Sequence, residues 1–512
     1  MLAKVLSGAN VGLDGIPVTI EVDIALQGLP SFTIVGLADR AVEESKERVR
    51  SAIRNSGAEF LSKKITINLA PADLPKEGPA YDLPIALGLL LASGQIPLSN
   101  PGVLNLNETL VVGELSLDGN LRKTHGILPL AVLAKKLGIK RIIVPKDNGA
   151  EAAVVGGLEV LAFESLLEVT KMLLGQAIVE PFKKQNINLD KLSGFEYDFS
   201  QIKGQENAKR ALEISAAGGH NVLLKGPPGA GKTMLARAFP SILPPMSLEE
   251  AIEVTKIYSI SGNLPSGVPI LTTRPFRSPH HTASYVGLIG GGNSIRPGEI
   301  SLAHRGVLFM DEIPEFPRQV LEALRQPLED HRITISRAAG SLTFPAEFIL
   351  MAAQNPCPCG FLGDKKRNCS CMPGQISKYQ RRISGPLLDR IDIYLEVPAV
   401  EVDKLSGDYN SESSEEVRKR VTNARKIQGK RYKGRVLTNS QIGADDIKKY
   451  CEVSEEGMNL LKMAISSLNL SARGYTRVLK LSRTIADLAG SENILTEHLA
   501  EALQYRSREE TH

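Results

Sequence analysis

The stretch HNVLLKGPPGAGKTMLARAF, residues 220–239, constrains the fold more than any other part of the chain. Gly226 to Thr233 spell G-x-x-x-x-G-K-T, with an apolar β-type run before them and a helix-type run after them. That setting gives the pattern physical meaning. Gly226, Gly229 and Gly231, interleaved with Pro227, Pro228 and Ala230, let backbone N–H groups wrap phosphate oxygens. Lys232 places a positive charge at the β- and γ-phosphates, and Thr233 offers a hydroxyl to Mg2+. The alternative, a chance match in a Gly-rich loop, does not account for the flanking runs. Downstream, GVLFMDEIPEF reads as a buried strand ending in two carboxylates. Asp311 is placed to support Mg2+ and Glu312 to polarise an attacking water. A solvated acidic loop is the other reading.

A chain of 512 residues exceeds one hydrophobic core, so two to four domains are expected. Residues 1–180 alternate β-rich runs such as GIPVTIEVDIA with helical runs such as RAVEESKERVRSAIRNSG, an α/β pattern. A polar linker is expected over 181–197, a second α/β block over 198–398, an acidic, Ser-rich linker over 399–416 and a helical region over 417–512. The fold class is thus α/β multidomain. The longest apolar stretch, IALGLLLASG, is about half a bilayer span, and the start MLAKVLSGANVGLDG has no signal-peptide core. The expectation is a cytoplasmic protein with no membrane partner.

The formal net charge is only +4, so any nucleic-acid contact must come from local patches. TRPFRSPHHTASY gathers Arg274, Arg277, His280, His281 and Tyr285 on a Pro-broken loop, and GGGNSIRPG adds flexibility beside Arg296. Cations neutralise phosphate, and an aromatic can follow a strand without reading its sequence. The two histidines could instead be a metal pair or structural. Arg332 and Arg337, in RITISRAAGSLTFPAEF, are further candidates, with a solvated hairpin as the alternative. The basic run VRKRVTNARKIQGKRYKGR reads as a solvated helix face.

Four of the five cysteines, Cys357, Cys359, Cys369 and Cys371, form C-x-C-x9-C-x-C. Four thiolates on a Gly- and Pro-containing loop can enclose a structural Zn2+ with no open position. Reduced, unliganded thiols are the alternative, because C-x-C is tighter than the usual spacing.

The order GPPGAGKT, MDE, FILMAAQNP and GPLLDRID resembles an AAA+ ATPase core, the P-loop NTPase type with a helical C-terminal lid. That resemblance implies ATP and Mg2+ as cofactors. It implies Asn355 as the sensor near the γ-phosphate, Arg390 as an arginine finger reaching a neighbouring subunit, and Arg473, with Arg477 its competitor, as the lid's sensor. Ordinary ion pairs are the other reading of these arginines. TRPFRSPHHTASYVGLIGGGNSIRPGEISLAHRGVLFMDE, RITISRAAGSLTFPAEF and NPCPCGFLGD narrow the resemblance to the magnesium-chelatase branch and, within it, to the ComM/YifB family along essentially the whole chain. The family resemblance implies a homo-hexameric DNA helicase driving branch migration on single-stranded or branched DNA during natural transformation.

PKEGPAYDLPIALGLL, with VGELSLDGNLRKTHGILPLAVLAKKLGIKRIIVP, resembles a Lon-protease-like α+β domain. Where that pattern has its serine stands Ala80. Where it has its lysine stands Leu128 or Leu130, with Lys123 out of phase. Alanine is no nucleophile, so an inactive, ring-forming platform is expected rather than a protease. Two functions remain: a DNA motor and, second, a chelatase-type ATPase remodelling a protein partner.

Overall fold

The computed structural model describes residues 2–97, 106–184, 188–189, 194–265, 267–292, 295–337, 340–364, 367–399, 412–433, 438–468 and 470–506. These form two compact units, each assembled from separate chain segments. The first comprises Met1–Asn188, Leu248–Leu271 and Gly292–Arg296; the second comprises Leu189–Ser247, Thr272–Gly291 and Pro297–His512. Among the described residues no helix is long and apolar enough to cross a membrane.

The first unit is built on a seven-stranded mixed sheet in the order Ser31–Val35, Lys64–Ala70, Asp14–Ile24, Leu2–Val11, Thr109–Val111, Arg141–Pro145 and Glu159–Phe163. Leu2–Val11 and Asp14–Ile24 form an antiparallel hairpin from Leu2↔Asp23 to Val11↔Asp14. Gly12, at φ 61°, supplies the left-handed residue of its two-residue turn. The apolar stretch at the centre of the unit is the helix Asp82–Ala92, buried at every residue. A helix apolar on all sides is a core helix, and this one is drawn tight against the sheet at Gly88. A Cβ there would lie 2.6 Å from Val22 Cγ2, so a side chain would force the layers apart.

The helix Leu248–Ser261 corrects the expectation of a continuous core over 198–398, because it belongs to the first unit. Its Ala251, Val254, Ile257 and Tyr258 follow the helical i, i+3, i+6, i+7 spacing and are buried. Its end is anchored by polar bonds: Gly126 N–H donates to Ser259 O at 3.1 Å, and the Ser259 hydroxyl donates to buried Glu151. Glu151 also accepts from Leu128 N at 2.9 Å and Asn148 Nδ2 at 3.0 Å, so its burial is compensated.

The second unit carries a five-stranded, wholly parallel sheet in the order Phe276–Arg277, Val307–Met310, Ile349–Gln354, Val222–Lys225 and Ile393–Glu396. Val222–Lys225 is first of the five in the chain yet lies between the fourth and fifth. A ligand crevice forms at the carboxyl ends of strands where the order reverses in this way. Register brings those ends level: Lys225 pairs with Gln354 and Glu396, and Met310 pairs with Ala352. Gly226, Asn355 and Asp311 therefore emerge along one edge.

The helices Ser414–Arg431, Ala472–Leu488 and Thr496–Gln504 share one hydrophobic core with this sheet, running from Val222 and Met351 to Val421, Leu481 and Leu499. Polar ties add to it: Gln428 Nε2 donates to Ala217 O at 3.0 Å, and Arg210 is paired with Glu213 and Glu501. The helix from Ser414 begins inside the span 399–416 read as linker. Ser413 accepts from Glu416 N–H while the Glu416 side chain accepts from Ser413 N–H at 2.9 Å, a capping box that starts the helix early.

Candidate functional site

The phosphate-loop residues fold as a loop between the strand Val222–Lys225 and the helix Lys232–Ala238. Gly226 is confined: a Cβ on it would lie 2.2 Å from Val397 O. Gly229 and Gly231 adopt φ of 77° and 87°, where an L side chain is strained, and the space beside both α-carbons is open. Lys232 is buried, its Nζ donating to Gly226 O at 2.7 Å, Pro227 O at 3.0 Å and Asn355 Oδ1 at 3.1 Å. Burial lowers its pKa, against the opposing pull of the Asp311 and Glu312 charges. Among the described residues this ammonium has only neutral acceptors within hydrogen-bond reach, two of them carbonyls of its own loop, so an anion entering the loop gains a poorly compensated cation.

The Thr233 hydroxyl donates to Asp311 Oδ2 at 2.9 Å, while Asp311 Oδ1 accepts from Glu312 N–H at 2.9 Å. Hydroxyl and carboxylate thus meet as the oxygen pair a hard divalent cation uses. These contacts fit ATP and Mg2+: Lys232 and the loop would hold phosphate, Thr233 and Asp311 the metal. Glu312 has φ of 49° and a half-exposed carboxylate. Left-handed backbone at a non-glycine residue is strain of a kind concentrated at functional positions.

The strand-contact candidates differ in setting. Arg274 donates to Pro244 O and Arg305 O, both at 2.8 Å, so it staples backbone carbonyls. Arg277 forms a two-pronged pair with Glu299 at 2.6 and 2.7 Å. Both guanidiniums are engaged within the chain by carbonyl and carboxylate acceptors that need donors. His280 is exposed and lies against His281 with ring centroids 4.1 Å apart and planes tilted by 34°, and Tyr285 is exposed. His281 turns toward the strand-end carboxylates, its Nδ1 3.9 Å from Glu312 Oε2. Arg332 is exposed on the hairpin Arg332–Arg337 and Gly340–Pro345. The Arg337 side chain lies outside the described residues. Arg296 is exposed and falls in the first unit.

The three arginines implied by resemblance differ in setting. Arg390 donates to Pro386 O at 2.7 Å and is paired with Glu329 of the same chain, and its buried Nε has no hydrogen-bond partner among the described residues. Arg477 is paired with Asp392 at 3.0 Å, whereas Arg473 is exposed on the first turn of the helix Ala472–Leu488. Asp392 also meets buried His220, whose Nδ1 lies 3.3 Å away. Burial alone would raise this carboxyl, but His220, Arg477 and the Asn221 N–H together hold it down to about 2.

Tyr379 was not singled out in the sequence. It is buried against the backbone of Asn355 and within the field of Glu315 and Glu312, and burial pushes its phenol up to about 12. A lone tyrosine in KYQRR carries no spacing signal that could have marked it.

The four sulfurs of Cys357, Cys359, Cys369 and Cys371 lie within 4.8 Å of one another. In the first unit, Ala80 sits in the turn Pro79–Tyr81, its carbonyl accepting from Gly113 N–H at 2.9 Å. Leu128 and Leu130 are buried, and Lys123 Nζ donates to Leu264 O at 3.1 Å.

Residues 20–148 match the family described as subunit ChlI of Mg-chelatase, residues 198–405 that described as magnesium chelatase, subunit ChlI, and residues 411–506 its C-terminal family. The chain is 45% identical over 513 residues to competence protein ComM of Haemophilus influenzae, covering 99% of this chain and 97% of that one. It is 46% identical over 509 residues to the uncharacterized protein YifB of Escherichia coli, covering 99% and 97%. To the magnesium-chelatase 38 kDa subunit of Rhodobacter capsulatus it is 28% identical over 179 residues, 31% of this chain and 50% of that one. With a strand-end phosphate loop, an acidic pair and full-length identity at this level, the chain belongs to the ComM/YifB family of magnesium-chelatase-like AAA+ ATPases.

Proposed function

We propose that the protein is an ATP-driven DNA motor of the helicase or branch-migration type, acting on single-stranded or branched DNA as a cytoplasmic homo-hexamer. The observation that carries this reading is the approach of His281 to Glu312: the loop holding His280 and Tyr285, side chains suited to a nucleic-acid strand, touches the carboxylate suited to activating water. Lys232 and the Gly226–Thr233 backbone bind the phosphates, and Thr233 with Asp311 holds the metal. Bound ATP supplies the phosphoanhydride bond, and Mg2+ offsets its charge.

Glu312 takes the proton of the attacking water, Asn355 orients near Lys232, and Arg390 acts from the chain beside it, which makes hydrolysis depend on assembly. The helices from Ser414 onward serve as the lid, with Arg473 its sensor. The N-terminal residues 1–180 serve as a Lon-like platform for the ring, without peptidase chemistry. Residues 181–197, and the part of 399–416 that precedes the helix from Ser414, act as linkers.

The test is ATP turnover by the full chain with and without single-stranded DNA, beside DNA binding across salt concentrations. Stimulation several-fold is expected, with binding that weakens as salt rises because phosphate neutralisation releases counterions. Unchanged turnover with no binding at low salt overturns the motor. It leaves the second reading, a chelatase-type remodeller of a protein partner, which the internal pairing of Arg274 and Arg277 favours.

A further inference from the structure

The cysteine loop continues directly from the strand Ile349–Gln354 through Asn355 and Pro356. Its sulfurs lie 3.4 Å apart for Cys357 and Cys359, and 3.6 Å apart for Cys357 with Cys369 and for Cys359 with Cys369. Cys371 Sγ accepts from Cys359 N–H at 3.4 Å. A disulfide needs sulfurs about 2.0 Å apart. Tetrahedral zinc, with Zn–S of about 2.3 Å, needs them roughly 3.8 Å apart. The observed spacing fits the metal cage, and a closed four-thiolate shell is a ligand set characteristic of structural zinc.

The same loop leans on the phosphate loop. Cys357 O accepts from Gly360 N–H at 3.0 Å, closing a tight turn between the first two ligands. Gly360 stands at φ 85°, its α-carbon so near the Pro228 ring that a Cβ would meet Pro228 Cδ at 2.5 Å and Cγ at 2.6 Å. Pro228 lies within the Gly226–Thr233 loop, and Asn355, two residues before the first ligand, bonds Lys232. One short segment thus carries a thiol cage, a backbone wedge against the loop and a partner for its lysine.

We propose that Cys357, Cys359, Cys369 and Cys371 hold one zinc ion whose coordination fixes the Gly360 turn against Pro228, so that metal occupancy sets the nucleotide affinity of the phosphate loop. Each ligating thiol gives its proton to solvent, and no electron transfer is involved. With the cage closed, the turn presses the loop into its binding shape. With the metal gone, the 357–371 loop loses the constraint that holds Gly360 in place, and the loop must be ordered at the cost of binding. This rests on the nucleotide reading of that loop and is independent of DNA.

The test uses the full chain, purified with a reducing agent and no chelator, in two measurements: metal content and affinity for a fluorescent ADP analogue. About one zinc per chain is expected. Cys369→Ser with Cys371→Ser should lose the metal and bind ADP roughly tenfold more weakly. Gly360→Ala keeps all four thiols, so it should retain zinc yet bind ADP more weakly by a similar factor, even if the cysteine variant fails to fold. An unmutated chain holding no zinc, or iron instead, overturns the metal assignment. Zinc present with Gly360→Ala binding ADP as tightly as the unmutated chain overturns the coupling. An unmutated chain that binds zinc but no ADP overturns the coupling together with the nucleotide reading, whatever DNA does to turnover.

Discussion

His281 Nδ1 stands 3.9 Å from Glu312 Oε2, while the ring of His281 lies tilted against His280 and meets Phe316 edge-on with centroids 6.4 Å apart. The imidazole is thereby fixed between a surface loop and the carboxylate suited to activating water. His281→Ala should remove most of the several-fold DNA stimulation of kcat with little change in KM for ATP, since it removes a positioning group and no phosphate contact. Steady-state kinetics with and without DNA checks this. Stimulation equal to the unmutated chain would assign His281 to the loop's own packing.

Glu312→Gln should keep nucleotide binding and lose turnover by roughly a hundredfold, because the amide preserves shape but is a poor base. Mixing it with Arg390→Ala should recover part of the activity if the guanidinium acts across subunits. The pairing of Arg390 with Glu329 sharpens the test. Were that pair only structural, Glu329→Gln and Arg390→Ala would impair turnover and thermal stability alike. For a finger, Glu329→Gln retains turnover where Arg390→Ala does not.

Lys232 is held charged in a buried place, its pKa lowered chiefly by burial. A fold that depresses a lysine's pKa is strained by its charge at neutral pH. Lys232→Met should therefore raise the melting temperature of the nucleotide-free chain while abolishing the further rise that ATP with Mg2+ gives the unmutated protein. A thermal shift series reads both, and a nucleotide-free variant that melts lower contradicts the first.

Asp392 is held down to about 2 although burial opposes it, by His220, Arg477 and Asn221. Its ionised form thus contributes stability that is present above the unfolded carboxylate value of about 3.9 and lost as pH falls through about 2. The depression corresponds to about 2 kcal/mol. Asp392→Asn should lower the melting temperature by about 2–4 °C at pH 7. The gap should hold down to pH 4 and narrow below it.

Ala80→Ser should remain without peptidase activity. The positions where a base would be needed, Leu128 and Leu130, are buried hydrocarbons, and Lys123 is bonded to Leu264 O. Cleavage of a casein-type substrate by this variant alone would show a base elsewhere.

The phosphate loop was legible because strand, glycines, lysine and helix are neighbours in the chain. Asp311 and Glu312 were legible because a buried strand ending in carboxylates is a local pattern. What was hidden depends on partners distant in sequence. TRPFRSP reads as a basic loop, yet Arg274 is claimed by carbonyls at 244 and 305 and Arg277 by Glu299. Nothing in LEEAIEVTKIYSIS says that its apolar face belongs to the first unit rather than to the flanking sheet, since amphipathicity fixes a face but not its owner. The start of the helix at Ser414 was readable from Ser413 and Glu416, but the surrounding acidic, Ser-rich composition outweighed that local cap.

The chain passes between its two units at 188/189, 247/248, 271/272, 291/292 and 296/297. A gene cut at any single point therefore cannot release the N-terminal unit whole. A fragment ending near residue 188 lacks the helix Leu248–Ser261 and leaves Glu151 without the Ser259 hydroxyl it accepts from. Such interleaving rules out treating the N-terminal portion as an interchangeable cassette.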